Sequence, residues 1–438
     1  MQHTSHPTPS PTPTAPDDSA RAVIGRLMRP LYVPSALYSV GTGAAIPAQV
    51  LVGLAVGLDA GQVAWALTAS GVVMVTGTAA TGSVVERWGE RAALVGSTAV
   101  AVLCAAALVL AVATGRGEVP AYLLVLAVFN LTDGVWGVAR QELMAQWIPP
   151  AVRGRAVNTY GASQRVGRLV GPFLAGGLIL WVGPVAGFVV FALAAVVACT
   201  AILAAPVPAG VEGRGTAATA PAPGAAATAT PASDRPDTDA APPGTPPARP
   251  RIPSEVWAGF WAVGLAVVAL NLLRADQEVL LPLWAANVER LTDARVSFAM
   301  GVWMVLELVL FLPAGWVLDR WGTLPVALTC LVGLTAGFAL LLLPGGFWPA
   351  VVLLGLAGGT GSGIVKTLGL VLAPEVGRPR FLGRWMALAT SGMVLAPGLV
   401  AVTQQVSLTA SVVVAVAVGV AGALWLAVVG PRYLAHRV

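Results

Sequence analysis

Charge is what this 438-residue chain has least of: Asp, Glu, Lys and Arg together make up 10% of it, against roughly 25% in an ordinary soluble domain. So few charges cannot cover the water-facing surface of a globule this size, and a large soluble fold is excluded. Lysine is reduced to one residue, Lys366, so nearly all positive charge is arginine. The three histidines, His3, His6 and His436, lie in the terminal tails, which leaves carboxylates to carry any proton chemistry inside the apolar stretches. Cysteine is limited to Cys104, Cys199 and Cys330, each alone in a different apolar stretch. That spacing builds neither a disulfide framework nor a zinc site. No metal or cofactor is expected, and the lack of a Gly-x-x-x-x-Gly-Lys-Ser/Thr loop disfavours ATP hydrolysis by this chain.

What the chain has in abundance is apolar sequence: 57% hydrophobic residues and a mean hydropathy of +0.80. Many blocks reach the roughly 20 residues a bilayer-spanning helix needs. In lipid, backbone polar groups must be satisfied within the segment, so such blocks are helices. Twelve are predicted, over 31–57, 60–82, 92–114, 119–146, 156–181, 184–207, 255–285, 296–318, 323–344, 347–373, 384–406 and 408–430. The predicted organisation is a disordered tail over 1–30, a six-helix half over 31–207, a Pro- and Ala-rich disordered linker over 208–252, a second six-helix half over 253–430 and a short tail over 431–438. Arginine sets the orientation. With the N-terminus in the cytoplasm, seventeen basic residues fall inside and three (Arg116, Arg290, Arg295) outside. This asymmetry predicts a multi-pass protein of the cell membrane with both termini cytoplasmic. The basic pI of about 9.6 then reflects anchoring to the bilayer, and no nucleic-acid partner is indicated.

One loop occurs twice. Gly82-Ser83-Val84-Val85-Glu86-Arg87-Trp88-Gly89-Glu90-Arg91 follows the second span, and Gly315-Trp316-Val317-Leu318-Asp319-Arg320-Trp321-Gly322 follows the eighth. The shared Gly-x-x-x-acid-Arg-Trp-Gly pattern, at the same place in each half, marks a duplicated six-helix unit. The glycines permit close helix approach, and Glu86 and Asp319 are placed to hold the positive end of a helix dipole from the opposite half. Gly82, Glu86, Arg87, Gly89, Arg91, Gly315, Asp319, Arg320 and Gly322 are therefore expected to form a conformational latch as well as an interfacial anchor. These features resemble the major facilitator superfamily over nearly all of the chain outside its tail and linker. That resemblance implies an all-α fold of two six-helix pseudo-repeats and a transporter, not an enzyme, that works by alternating access, as a monomer. Glu86 and Glu90 depart from the Asp and the basic residue usual in the superfamily's loop, and the second copy lacks the trailing basic pair.

Within the fifth span, Gly167-Arg168-Leu169-Val170-Gly171-Pro172-Phe173-Leu174-Ala175-Gly176 is similar to a run that marks exporters of the superfamily. Gly167, Gly171, Pro172 and Gly176 carry the match. This implies the drug–proton antiporter branch, although that branch's relay arginine in span 4 is replaced by Leu126. Ionisable groups at membrane depth normally face a cavity or a partner. At 1.5 Å per residue, Asp133 and Arg168 both lie about 20 Å from the inner side, and Glu307 and Arg165 both about 16 Å. The expected proton-coupling set is thus Asp133 with Arg168 and Glu307 with Arg165, the second pair also implied by the family's placing of span 5 against span 8. Tyr38 and Thr42 on span 1, Asn130, Asn271 and Arg274, Trp303 one turn from Glu307, and Lys366 are candidates to line a substrate cavity. Arg140 is expected to form a structural ion pair with Glu86 or Glu142. The resulting expectation is proton-coupled efflux of a small amphiphilic compound. Import or exchange of a nutrient by the same fold is the alternative, and a non-transporting membrane sensor or enzyme is disfavoured because no nucleophile–base set lies in any span.

Overall fold

The computed structural model describes residues 20–148, 152–205, 254–361, 363–374 and 378–434. Among the described residues the chain is helical, with no strand, and it carries twelve helices long and apolar enough to cross a membrane. The helices are α1 (Ala20–Leu27), α2 (Val33–Ala55), α3 (Ala60–Trp88), α4 (Glu90–Thr114), α5 (Glu118–Trp147), α6 (Arg153–Val182) and α7 (Ala186–Ala204). They continue as α8 (Ser254–Asn287), α9 (Asp293–Trp321), α10 (Thr323–Leu340), α11 (Phe347–Thr360), α12 (Ile364–Leu372), α13 (Arg378–Thr403) and α14 (Leu408–Leu434).

Two boundaries differ from expectation. Residues 20–30 were assigned to a disordered tail, yet α1 runs through a π-helical turn, Met28–Tyr32, into α2. Val23 and Leu27 are buried with Leu31, Tyr32, Leu143, Ile148 and Tyr160, and Tyr32 Oη donates to Ala156 O at 3.0 Å. Apolar residues spaced four apart give this short helix a side to bury, which composition alone hides. The tenth span was expected to be continuous; it is α11 and α12, interrupted after Thr360, with Gly363 at φ +89°. The linker residues 208–252 lie outside the described residues.

The chain divides into two compact units. The first contains Met1–Ile46 and Val73–Glu212, the second Pro47–Val72 and Gly213–Val438. The boundary therefore passes through α2 at Pro47 and through α3 after Val72. Pro47 cannot donate a helical hydrogen bond, which weakens α2 at that point. In the first unit, α4 packs against α5 and α7, and α7 against α6. In the second, α10 packs against α11 and α14, and α8 against α13 and α14. The span 3–span 4 and span 3–span 6 contacts of the first unit thus recur as α10–α11 and α10–α14 in the second.

Packing is by small residues. The buried stripe of α4 is Ala93, Leu94, Thr98, Ala101, Ala105, Leu108 and Ala111, while Val100, Leu103 and Leu110 face outward. Large apolar side chains outside and small ones inside is the pattern of helices associating in lipid, where backbone approach is the source of dispersion energy. The closest approach in the first unit is between α2 and α6. A Cβ at Gly167 would strike Ala36 O, and one at Gly171 would strike Val40 O and the backbone of Gly43 and Ala44. Gly392 of α13 meets Val268 O of α8 in the same way. Span 1–span 5 and span 7–span 11 are therefore glycine contacts in both units. In the second unit the N-terminal part of α3 also meets α13: a Cβ at Gly398 would lie 3.4 Å from Thr68 Cγ2, and one at Gly61 would lie 3.8 Å from Gln404 Cβ.

Candidate functional site

The second unit builds its site on α8, α9 and the interrupted tenth span. Arg274 Nη2 donates to Glu307 Oε1 at 3.0 Å, with both side chains largely buried. Glycines of α11 place the carboxylate. Gly359 lies against Glu307 O, and a Cβ at Gly355 would lie 2.7 Å from Trp303 O, so α9 and α11 touch backbone to backbone. A Cβ at Gly358 would lie 3.7 Å from Glu307 Cγ and 3.6 Å from Gln277 Oε1, while Gln277 Nε2 donates to Leu354 O at 2.8 Å. At the end of α11, a Cβ at Gly361 would fall 3.5 Å from Arg274 Nη1 and also strike Cys330 Sγ. The ion pair therefore sits beside the break between α11 and α12.

Arg274, expected to line a cavity, is the residue that donates to Glu307. α8 runs to Asn287, so Arg274 lies about 20 Å from its C-terminal end. Asn271 was expected to line a cavity. It is buried instead, and its Nδ2 donates to Ala389 O of α13 at 2.8 Å. Trp303 is buried with its indole N–H unpartnered, and Lys366 is exposed on α12. Asp276, not singled out from the sequence, is 1% exposed with Oδ1 unpartnered. The signal was available, as an aspartate inside an apolar span.

In the first unit the polar side chains of α2, α5 and α6 converge. Tyr38 is fully buried and stacks on Trp136 with ring centroids 4.1 Å apart and planes 14° from parallel. The Arg140 guanidinium lies 5.0 Å from the centroid of the Tyr38 ring and 5.7 Å from that of Trp136. Its Nε donates to Trp136 O at 2.9 Å. Trp136 Nε1 donates to Thr98 Oγ1 at 3.2 Å, and Gln164 Nε2 donates to Tyr160 Oη at 3.1 Å. Asp133 is half-buried, and its charge and that of Arg140 both act on the Tyr38 and Tyr160 hydroxyls. Tyr38 is thus a packed, buried member of this cluster and lines no open surface. Thr42 and Asn130 are half-buried and bond their own helices, Thr42 Oγ1 to Ser39 O at 3.1 Å and Asn130 Nδ2 to Leu126 O at 3.0 Å. Arg165 is half-buried and Arg168 exposed.

Arg140 overturns its own expectation. Among the described residues no carboxylate lies within ion-pair distance of it, neither Glu86 nor Glu142. Glu86 is exposed on the last turn of α3, whereas Arg140 points into the aromatic pair.

The duplicated loop is compressed to a single residue between helices in each unit. Gly89 (φ +77°, ψ 159°) joins α3 to α4, and Gly322 (φ +80°, ψ 176°) joins α9 to α10. Only glycine adopts that backbone readily. Glu90 is the first residue of α4, where a negative charge suits the helix dipole, which accounts for its departure from the basic residue. Arg87 and Arg91 are exposed, and Arg320 lies 5.5 Å over the Trp316 ring. Gly82 does not serve close approach: a Cβ there would meet nothing within 4 Å. The surroundings of Gly315 and Asp319 fall outside the described residues. In the fifth span, Gly167 and Gly171 form the α2 contact, and Pro172 and Gly176 are buried.

The family model described as Major Facilitator Superfamily matches residues 31–288. The chain belongs to that superfamily. Among solved structures it is similar to a peptide transporter in complex with sulfate, at 12% identity and TM-score 0.67, covering 94% of this chain and 95% of the other. It is also similar to a D-xylose-proton symporter, at 15% identity and TM-score 0.59 over 93% and 96% of the two chains. A third match is the nucleoside transporter NupG, at 12% identity and TM-score 0.61 over 93% and 99%. Identities this low speak for the fold alone. No curated protein matches the chain. As a superfamily member the chain is a multi-pass membrane transporter that binds a small-molecule substrate.

Proposed function

We propose that this transporter is proton-coupled, that it exports a small amphiphilic compound, and that Glu307 with Arg274 is its coupling centre. The observation that carries the reading is the 3.0 Å Arg274–Glu307 pair, held within two spanning helices beside an interrupted third. An ion pair at membrane depth is costly unless it is intact. A proton on Glu307 cancels one charge and frees Arg274, so the pair and the helices it ties exist in two arrangements that differ by a proton. The α11–α12 break gives the tenth span freedom to follow. Asp133, beside Tyr38 and Arg140, supplies a second carboxylate in the other unit. Efflux rests on the similarity of the α6 glycine–proline run to exporters. That run also makes a contact that recurs at Gly392, so it supports the fold as much as the direction. Glu86 and Asp319 act as the latch between conformational states, in a monomer of the cell membrane with both termini in the cytoplasm.

The test is uphill flux of a compound panel in proteoliposomes with imposed pH gradients of either sign. Wild type should concentrate a solute against its gradient, driven by the proton gradient, and Glu307→Gln should lose the drive while keeping downhill exchange. Asp133→Asn identifies which unit couples. If Glu307→Gln keeps the wild-type response to the gradient, the pair is structural and this reading fails.

A further inference from the structure

The second half of the tenth span is held from outside. α12 has nine residues, too few to keep a helix formed on their own. Gly363 at its N-terminal edge takes φ +89°, an angle that side-chain-bearing residues rarely adopt. Ile364, Leu368, Gly369 and Leu372 are its buried side, while Lys366 and Leu370 are exposed. Its tether is Trp385 of α13, whose Nε1 donates to Val365 O at 2.8 Å. One turn on, Gly369 lies directly against the indole: a Cβ there would fall 2.5 Å from Trp385 Cδ1. Trp385 is 1% exposed. It stacks on Phe381 with ring centroids 6.4 Å apart and planes 11° from parallel, and meets Phe260 of α8 edge-on at 5.9 Å. The indole is therefore fixed by α8 and α13, and its single donor goes to α12.

The N-terminal side of α12 leads back to the ion pair. Ile364 N donates to Gly361 O at 3.1 Å, so the first turn of α12 starts from the residue that packs on Arg274. The Cys330 thiol of α10 donates to Ala357 O at 3.2 Å and lies within reach of the Arg274 and Glu307 charges. Asp276 and Glu278 follow Arg274 on α8. Farther along, Arg384 of α13 lies 5.0 Å over the Trp257 ring, and Tyr433 of α14 packs at Gly259 of α8. The break thus has Arg274 and Glu307 on one side and Trp385 on the other.

We propose that Trp385 is a positioning residue for the Arg274–Glu307 pair: its indole N–H docks α12 on α13 and so holds Gly361 against Arg274, and a proton on Glu307 loosens that docking. With the pair intact, the guanidinium is held where Gly361 packs on it. Once Glu307 is neutral, Arg274 is free to turn away, the first turn of α12 loses its seat, and the bond from Trp385 is what still joins α12 to α13. The state of a carboxylate on α9 thereby reaches α13, a helix it does not bond. The proposal rests on the coupling reading above and names the element through which the centre acts.

Amide hydrogen exchange of the purified full chain in detergent tests this without a substrate, because it reads local opening segment by segment. Peptides from α11, α12 and α13 are followed by mass spectrometry over a range of pH, with rates corrected for intrinsic chemical exchange. Trp385→Phe keeps an aromatic ring in the stack and removes the donor; it should speed exchange of α12 about fivefold, in line with one lost hydrogen bond, and leave α11 unchanged. Glu307→Gln, although on α9, should speed exchange of α12 as well. Wild-type protection of α12 should fall as the pH is lowered through the titration of Glu307, and in Glu307→Gln it should not vary with pH. A tether that only stabilised the fold would respond to Trp385→Phe and to neither Glu307→Gln nor pH. If Trp385→Phe does not fold, Gly369→Ala, which displaces the indole from the α12 side, takes its place. The proposal is overturned if α12 in Glu307→Gln exchanges like wild type, or if Trp385→Phe speeds α11 and α13 as much as α12. An α12 indifferent to Glu307→Gln, with proton-driven flux lost in that variant, removes the tether and leaves the coupling centre standing. An α12 that responds, with proton-driven flux kept, does the reverse.

Discussion

Cysteines introduced at Gly61 and Gln404 should lock the transporter. A Cβ at Gly61, in the first turn of α3, would lie 3.8 Å from Gln404 Cβ, just past the end of α13. Disulfides span about 3.5–4.5 Å between Cβ atoms, so Gly61→Cys with Gln404→Cys should bridge without moving the backbone. The one tight neighbour is Asp59 Oδ1, at 3.2 Å from the new Cβ. Asp59 Oδ1 accepts from Gln62 N at 2.8 Å and caps α3, so the single Gly61→Cys variant must be shown to melt like wild type. The arginine bias predicts both positions on the outer side, and an alternating-access cycle is expected to part these ends by more than a disulfide can stretch. Cys104, Cys199 and Cys330 are free thiols and are replaced by Ala in the background. Flux in proteoliposomes is then measured against the oxidised fraction determined by intact mass. Residual flux should equal the uncrosslinked fraction, and reductant should restore it. Full crosslinking with wild-type turnover would refute the reasoning, because the outer ends of spans 2 and 11 would then not separate in the cycle.

Three further outcomes follow from the packing. Gly171→Ala and Gly392→Ala should each lower stability by about 1–3 kcal/mol, since the new methyl meets backbone that cannot yield; a thermal melt of either variant that matches wild type contradicts the glycine contact. Gly89→Ala should cost about 1–3 kcal/mol through its backbone angle, while Gly82→Ala, facing open space, should be neutral in the same melts. Arg274→Gln and Glu307→Gln should each destabilise by up to about 3–5 kcal/mol by breaking a largely buried ion pair. The double variant should recover much of that loss, and additive losses would mean that the two side chains are not coupled.

The spans, their number and the duplication were legible from residue types. Their cause is local: a block of some 20 apolar residues forms a helix in lipid whatever its neighbours are. Gly89 and Gly322 were legible for the same reason, as a repeated pattern with one backbone geometry. The α1 extension was missed because a packed helix of eight residues, rich in arginine, looks like a tail when its partners, Tyr160 and Ile148, lie more than a hundred residues away.

Partnership was the part that sequence could not decide. Depth along a helix ranks which charges lie at the same level, but it does not say which way each side chain points. Glu307 met Arg274 because α11 glycines draw α9 in beside α8. Asn271 became a helix tie because Gly392 brings α13 within reach. Arg140 and Asp133 were both visible as charges in a span, and the sequence paired Arg140 with Glu86 or Glu142 by its depth toward the predicted inner side. What surrounds Arg140, the rings of Tyr38 and Trp136, arises only when α2 and α5 are packed together. The lengths of its apolar blocks and one repeated loop determined that this protein spans a membrane with twelve helices in two related sets. Tertiary packing decided which of its few charges meet each other and which meet aromatic rings, because that depends on side-chain direction across helices and not on position along them.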